Sequence, residues 1–206
     1  VALFAPPSAN VALQFGPAEY FSLMVLGMVT SLALASGSLL TKIHKAYQAF
    51  AKLGLVRETA HHIHGAQATG CSPISVAQKA GLDFFKPVKP NTIAKSLAIG
   101  NPADGPYALD VARRTGGAIA DVSDEEAVAA MRLLAQTEGI FAETAGGVTV
   151  ATLRQLLATG QLDPDAETVV YNTGDGLKTL DAVATQVGPT ATTSPRIDEF
   201  RAALGG

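Results

Sequence analysis

A stretch without any charged residue, residues 20–41, constrains the fold of this chain more than any other feature. It is long enough to cross a bilayer as a helix, which needs about 20 consecutive apolar residues. Glycine and serine interrupt it, however, most densely at 36–38. Small residues at that point favour a buried strand (24–35) that turns into the start of a helix (39–53). A membrane-spanning helix stays open as the alternative interpretation.

The rest of the chain alternates between short apolar runs and segments with helical periodicity. Strands that alternate with helices imply right-handed crossovers, so we predict an α/β fold with a mainly parallel twisted sheet and helices on both faces. Strands are predicted at 24–35, 61–68, 117–122 and 167–172. Helices are predicted at 39–53, 73–80, 106–115, 146–159 and 196–204, with one more starting after Ser123.

Local capping signals support several of these helices. Ser123 and Glu126 have the spacing of a capping box. Ser72 and Pro73 are typical of an N-cap followed by the first helical position. Gly54 is a natural residue to end the helix that begins at residue 39.

Composition and charge exclude several classes of function. The 206 residues are 48% apolar and 16% charged, with a net charge of −3 and no basic stretch, so nucleic acid is not expected as a partner. Cys71 is the single cysteine, which excludes an internal disulfide and favours a reducing, cytoplasmic location. His61, His62 and His64 lack a companion acid or cysteine at a telling spacing, so no metal site is predicted.

Two glycine-containing turns follow predicted strands. At 35–39 (ASGSL), small residues and the free N–H groups of a helix start suit phosphate binding, with Ser36 and Ser38 as extra donors. At 173–178 (TGDGLK), Thr173 stands at the carboxyl end of a predicted strand, where α/β sheets place ligands. Both remain open to interpretation as ordinary turns, because neither matches a complete phosphate-loop motif.

A long proline-rich loop, residues 83–105, separates two predicted helices. Loops of this length inside compact domains are often functional. Lys86, Lys89 and Lys95 suit recognition of a phosphorylated substrate, and ordinary exposed lysines are the alternative.

Taken together, these segments resemble the threonine synthases, pyridoxal-phosphate enzymes of fold type II, related to the tryptophan synthase β subunit. The resemblance extends from residue 35 to residue 178 and keeps the family's order and spacing. It is carried by ASGSLLTKIHKAY (35–47), GAQATGCSP (65–73), KPVKPNTIAKSLAIGNPADG (86–105), EGIFAETAGG (138–147) and TGDGLK (173–178).

The resemblance implies a cofactor, a reaction and a set of contacts. The cofactor is pyridoxal 5'-phosphate, and the substrate is a small phosphorylated amino acid, O-phospho-L-homoserine, which is converted with water to L-threonine and phosphate. Thr173 is implied to hydrogen-bond the pyridine nitrogen, which a neutral hydroxyl leaves largely unprotonated. A monomer or homodimer is expected, without a membrane. The residues implied to hold the cofactor phosphate are Ser36, Gly37, Ser38 and Leu39.

The chain departs from the family pattern in its catalytic residues. Nothing matches the lysine that forms the Schiff base with the cofactor, so the catalytic residues are unknown. Lys42 and Lys45 belong to the helix after the phosphate turn and cannot replace it. Asp175 stands where the family has an uncharged residue or histidine. Asn101 and Glu143 lie in family motifs without an assigned role.

These departures define three expected regions. Residues 1–34 form an apolar leader that matches nothing in the family, and a disrupted reading frame or chimeric junction would explain it. Residues 35–185 form the C-terminal part of a cofactor-binding domain, and 186–206 a linker with a terminal helix. Two other functions remain: another fold-type-II lyase that acts on serine, threonine or phosphoserine, and a non-catalytic remnant.

Overall fold

The computed structural model describes residues 39–57, 59–184 and 192–203. The chain separates into two compact units, residues 1–61 and 62–206. The predicted strand 24–35 and the turn 36–38 lie outside the described residues, as does most of the uncharged stretch. Among the residues that are described, no helix combines the length and apolar character needed to cross a bilayer.

Helix α1 (Leu39–Lys52) is the main described element of the first unit. It confirms the helix predicted from periodicity. Gly54 follows it with φ +69°, a conformation that glycine adopts without strain, as expected of the residue that ends a helix. Beyond the helix, the Thr59 N–H donates to the Tyr47 hydroxyl at 2.8 Å, which ties the outgoing chain back to α1.

The second unit is built on two parallel strands, β1 (Gly65–Ala68) and β2 (Ile119–Val122). Gly65 pairs with Ile119, and Ala68 with Val122. The described part of this unit also contains two short 3-10 helices, at Lys95–Leu97 and Gly176–Ala182. The α-helices are α2 (Pro73–Lys79), α3 (Gly105–Arg114), α4 (Asp124–Glu138), α5 (Thr144–Ala158) and α6 (Ile197–Ala203).

Helices cover both faces of this small sheet. Successive strand side chains point to opposite faces. Ile119 packs in one apolar cluster with residues of α2 and α3. Val122 packs in another with residues of α4 and α5. The predicted α/β architecture with a parallel sheet is confirmed for the described residues.

Strand β1 is shorter than the strand predicted at 61–68. The Gly65 N–H donates to the Ala118 carbonyl at 2.9 Å, but the Ala118 N–H donates to Nδ1 of the His64 ring at 3.1 Å. A side chain therefore takes the place of a backbone partner, and regular pairing begins only at Gly65.

The capping box predicted for α4 is confirmed. The Glu126 N–H donates to the Ser123 hydroxyl at 3.1 Å, and the Ser123 N–H donates to the Glu126 carboxylate at 2.7 Å. Gly139 ends the helix with φ +67°. Helix α4 then packs closely on α5, where a Cβ on Gly147 would lie closer than 3.0 Å to the Ala127 carbonyl oxygen and the Met131 side chain.

The cap predicted for α2 is wrong in one respect. Pro73 occupies the first turn as expected, but the Ser72 side chain makes no capping bond. Its hydroxyl donates instead to the Thr69 carbonyl at 3.3 Å. The Gln67 side-chain oxygen accepts from the N–H groups of Ile74 (3.1 Å) and Ser75 (2.9 Å), so a strand residue caps this helix.

The strand predicted at 167–172 is also wrong. The segment is irregular and exposed, with Val169 79% exposed. A β-branched composition favours a strand only where a neighbouring strand offers pairing and burial. The described sheet consists of β1 and β2, and neither pairs with this segment. The simple turn predicted at 174–176 is replaced by an isolated bridge and the start of a 3-10 helix.

Candidate functional site

The candidate site lies where the segment 141–143, just before α5, runs antiparallel to the segment 174–176. Ala142 and Asp175 form an isolated antiparallel bridge. On either side of it, the Glu143 N–H donates to the Gly174 carbonyl at 3.0 Å, and the Gly176 N–H donates to the Phe141 carbonyl at 2.8 Å. These backbone bonds fix Thr173 next to the start of α5.

Thr173 is exposed, and its hydroxyl donates a hydrogen bond of 3.1 Å to Oε1 of Glu143. Glu143 is only 7% exposed. It occupies the N-cap position of α5, with φ −66° and ψ 169°, but its side chain makes no capping bond. The carboxylate is therefore directed at Thr173, and within the described ranges it forms no ion pair with lysine or arginine.

Two glycines make this arrangement possible. A Cβ on Gly174 would lie closer than 3.0 Å to the carboxylate of Glu143. A Cβ on Gly146 would lie equally close to Oδ1 of Asn172. The segment 172–174 thus lies directly on the first turn of α5, and a side chain at either glycine would force its neighbours to shift.

Two other polar groups adjoin this contact. The hydroxyl of Thr144 is fully buried and has no hydrogen-bond partner among the described residues, while the Thr144 N–H donates to the Thr179 hydroxyl at 3.1 Å. Asp175 is exposed, and its carboxylate accepts from the Leu177 N–H at 2.8 Å, capping the 3-10 helix. The unusual acid predicted to adjoin the site is thus engaged with its own backbone.

The loop 83–105 is held in place by contacts to its neighbours. The Asn91 N–H donates to the Gly70 carbonyl at 2.9 Å, and the Ile93 N–H donates to the Asp124 carboxylate at 3.0 Å. The ammonium group of Lys95 donates to the Thr92 carbonyl at 3.0 Å.

All three loop lysines, Lys86, Lys89 and Lys95, are exposed, as is Asn101. The ammonium group of Lys95 is used within the loop, where it donates to the Thr92 carbonyl. Recognition of a phosphorylated substrate by these lysines stays a prediction.

A partly buried carboxylate on β2, Asp121, was not singled out by the sequence. It accepts hydrogen bonds from Ser75, Lys79 and, at 3.2 Å, Thr69. Burial alone would raise the pKa of Asp121, but these hydrogen bonds and the Lys79 charge together lower it. The sequence signal that could have identified Asp121 is an acidic residue inside a short apolar strand, because a carboxylate in such a strand needs hydrogen-bonding or charged partners.

The surroundings of Cys71 and the histidines are described by their burial and their contacts. Cys71 is 1% exposed, and burial raises the pKa of its thiol. Burial, followed by the nearby His62, lowers the pKa of His64. In the first unit, the rings of His44 and His61 approach to 2.9 Å between nitrogens. Across the described ranges, no three potential metal-ligating side chains come together.

The predicted phosphate-holding residues Ser36, Gly37 and Ser38 lie outside the described residues. Leu39 is the first residue of α1 that the structure describes, and a phosphate-holding role for this turn stays a prediction. Thr173 and Glu143 both belong to the second unit, so the geometry of their contact is described within that unit alone.

Comparison with known protein families decides the classification. The family of pyridoxal-phosphate dependent enzymes matches residues 28–174. The chain belongs to this family. The match includes the predicted phosphate turn and ends next to Thr173.

Curated relatives confirm the resemblance to threonine synthases. The threonine synthase of Methanocaldococcus jannaschii is 40% identical over 144 residues, 69% of this chain and 35% of that protein. The threonine synthase of Methanosarcina acetivorans is 35% identical over 168 residues, 81% of this chain and 41% of that protein. The chain thus spans about two fifths or less of these relatives' length.

Among solved structures, a fungal L-serine ammonia-lyase from Rhizomucor miehei is similar at 19% identity and a TM-score of 0.48, covering 70% of this chain and 46% of that one. A second family, the tripartite tricarboxylate transporter TctA family, matches residues 1–52. The two family matches therefore overlap at 28–52, which includes all of α1 (Leu39–Lys52).

Proposed function

We propose that this chain is part of a threonine synthase, which converts O-phospho-L-homoserine and water to L-threonine and phosphate with pyridoxal 5'-phosphate. The observation that carries the proposal is the position of Thr173, an exposed hydroxyl held by Glu143 next to the bridge between Ala142 and Asp175. The identity to threonine synthases over most of the chain supports the same reaction.

The described residues fit the pyridine end of this cofactor. Thr173 would present its hydroxyl to a ring nitrogen, and Gly174 and Gly146 leave room for the segment that carries Thr173 to lie against the first turn of α5. When bound, the cofactor supplies an electron sink for the carbon atoms next to the substrate amino group. This chain would contribute placement of the cofactor: Thr173 would orient the ring, and Ser36, Gly37, Ser38 and Leu39 are proposed to hold the phosphate.

The Schiff-base lysine has no counterpart in the sequence, so we propose that the chain needs a second segment to turn over substrate. The decisive experiment joins the N-terminal part of the Methanocaldococcus jannaschii threonine synthase to residues 35–206 of this chain. Threonine and phosphate should form from O-phospho-L-homoserine, and Thr173→Val should reduce the rate while Thr173→Ser preserves it.

The same chimera separates the alternative functions. Activity on phosphoserine, serine or threonine, with none on O-phospho-L-homoserine, would indicate another fold-type-II lyase. The exposed lysines of the 83–105 loop favour a phosphorylated substrate over a plain hydroxyl compound. For the unmodified chain, a visible absorbance that survives dialysis and is reducible by borohydride would overturn the proposal that it lacks the Schiff-base lysine.

Residues 1–34 have a separate proposed origin. The transporter-family match to residues 1–52 supports a junction between two unrelated sequences close to residue 35. Sequencing the parent gene across codons 20–60 tests this, and a single uninterrupted reading frame that is shared with intact relatives would exclude a junction. If residues 20–41 instead enter a bilayer, the expressed chain will resist extraction by carbonate without detergent.

A further inference from the structure

Two histidine rings of the first unit meet with their nitrogens facing each other. Nδ1 of His44, on α1, lies 2.9 Å from Nε2 of His61, in the segment that follows the helix. The ring centroids are 5.1 Å apart, so both nitrogens lie in the gap between the rings. The two side chains are partly buried. No local sequence pattern indicates this pair, because the histidines are 17 positions apart.

The second nitrogen of the His61 ring shows where its proton is. Nδ1 of His61 lies 3.3 Å from the Thr59 carbonyl oxygen, which can only accept, so Nδ1 carries the proton. In a neutral imidazole the other nitrogen then has a lone pair, and Nε2 of His61 directs it at His44. Histidines that bind metal ions have the same arrangement, because they donate their second ring N–H to a carbonyl or carboxylate that orients the ring.

Contacts to Tyr47 hold the His61 ring and the Thr59 carbonyl in place. The Thr59 N–H donates to the Tyr47 hydroxyl at 2.8 Å, which fixes the backbone at Thr59 to α1. The Tyr47 and His61 ring centroids are 4.2 Å apart. His44 and Tyr47 have the i, i+3 spacing of residues on one helix face, so the same face of α1 contacts His61 on two sides.

The separation of the two nitrogens suits a metal ion. Imidazole nitrogens bind such ions at about 2.0–2.1 Å, and two ligands at right angles at that distance are about 2.9 Å apart. The measured separation is 2.9 Å. Ligands at right angles are typical of Cu²⁺ and Ni²⁺, and Cu²⁺ binds most tightly of the divalent first-row ions.

We propose that His44 and His61 bind one divalent transition-metal ion, with water completing its coordination. The ion would replace the hydrogen bond between the rings: the proton on Nδ1 of His44 moves to its Nε2, and both rings turn so that the two lone pairs point at the ion. No proton is released overall. The ion would tie the segment after α1 to the helix. This inference is independent of the proposed function, because neither histidine is proposed to contact the cofactor or the substrate.

The test uses Cu²⁺ as the probe, because its unpaired electron reports the nitrogens bound to it. The full 206-residue chain, without an affinity tag, is mixed with one equivalent of Cu²⁺ at neutral pH, and electron spin echo modulation counts the imidazole ligands. We expect two. His44→Gln and His61→Gln should each leave one, and each should weaken Cu²⁺ binding at least about tenfold in competition with a chelator of known affinity.

His62→Gln is the matched control, because it removes an adjacent exposed histidine that is outside the pair. It should leave both the imidazole count and the affinity unchanged. A loss equal to that of His61→Gln would overturn the proposal, because other histidines would then hold the ion. Acidification to about pH 5 should release the ion, since protons compete for the same lone pairs. Binding that persists there unchanged would exclude imidazole ligands.

The unaltered chain can overturn the proposal by itself. No bound Cu²⁺, or a bound ion with fewer than two imidazoles, would do so even if both glutamine variants failed to fold. Where circular dichroism shows that the variants are folded, two imidazoles retained in both His44→Gln and His61→Gln would also contradict it.

Discussion

Asp121 on strand β2 forms an ion pair with Lys79 on helix α2, and this contact joins the sheet to the helix that covers one of its faces. The carboxylate is 14% exposed and also accepts from Ser75 and Thr69. A partly buried charge costs free energy unless it has partners, and removing the charge leaves these donors without their acceptor.

Asp121→Asn should therefore destabilise the chain by about 1–3 kcal/mol at neutral pH, measured by urea unfolding. The stability should also depend on pH. Because the pKa of Asp121 is below its ordinary value of 3.8 in the folded chain, its contribution is complete above that value and is lost as the pH falls through the lower folded pKa. Asp121→Asn should lose this part of the acid sensitivity.

Asp198→Asn is the matched control, because Asp198 pairs with Arg196 on an exposed surface. It should leave the unfolding midpoint at neutral pH close to that of the unaltered chain. Equal effects of the two substitutions would contradict a structural role for the Asp121 contacts.

The capping box of α4 gives a second prediction. Ser123→Ala removes the acceptor for the Glu126 N–H and should destabilise the chain by about 1 kcal/mol. Glu126→Gln keeps an acceptor for the Ser123 N–H and should have a smaller effect. Denaturant midpoints of the two variants check this, and a larger effect of Glu126→Gln would show that charge, rather than capping, dominates at this helix start.

The close packing of α4 on α5 gives a third prediction. Gly147→Ala should destabilise the chain by about 1–3 kcal/mol, because a Cβ would collide with the Ala127 carbonyl and Met131. Gly139→Ala is the control: nothing lies within 4 Å of its Cβ, but its φ of +67° makes alanine strained by about 1–2 kcal/mol. Loss of near-ultraviolet circular dichroism with Gly147→Ala alone would indicate loosened packing.

The sequence predicted those features that depend on neighbouring residues. The capping box of α4 and the glycine after α1 follow from side chains within one or two turns. The segment 167–172 was predicted wrongly because a strand depends on a partner that composition does not reveal. The cap predicted at Ser72 is wrong because the N–H groups at the start of α2 donate to the Gln67 side chain instead. Gln67 lies on strand β1, so the local sequence around Ser72 does not reveal it.

The candidate site was predictable only in part. Thr173 was identified through a family resemblance, and its residue type suited a ligand. Its partner Glu143 is 30 positions away in the sequence, and no periodic pattern connects the two. Asp121 shows the same limit, because its three donors come from the β1–α2 turn and from α2. Long-range polar contacts of this kind follow from the packing of whole elements.

His64 gives a prediction for the pH dependence near neutrality. Its Nδ1 accepts from the Ala118 N–H at 3.1 Å, so protonating that nitrogen breaks a bond at the edge of the sheet. Burial and the nearby His62 lower the pKa of His64 below its ordinary value of 6.5. The unfolded chain therefore binds the proton more readily, and the contribution of His64 to stability is complete above pH 6.5 and is lost as the pH falls through the lower folded pKa.

His64→Asn should make this loss shallower, because the asparagine side-chain oxygen can accept from Ala118 at any pH. Urea midpoints between pH 8 and pH 5 provide the measurement. His62→Asn, at an exposed position, should alter the curve less, since it removes only the weaker of the two causes. Parallel curves for the unaltered chain and His64→Asn would contradict this prediction. They would mean that protonation of the His64 ring does not cause the loss of stability at lower pH.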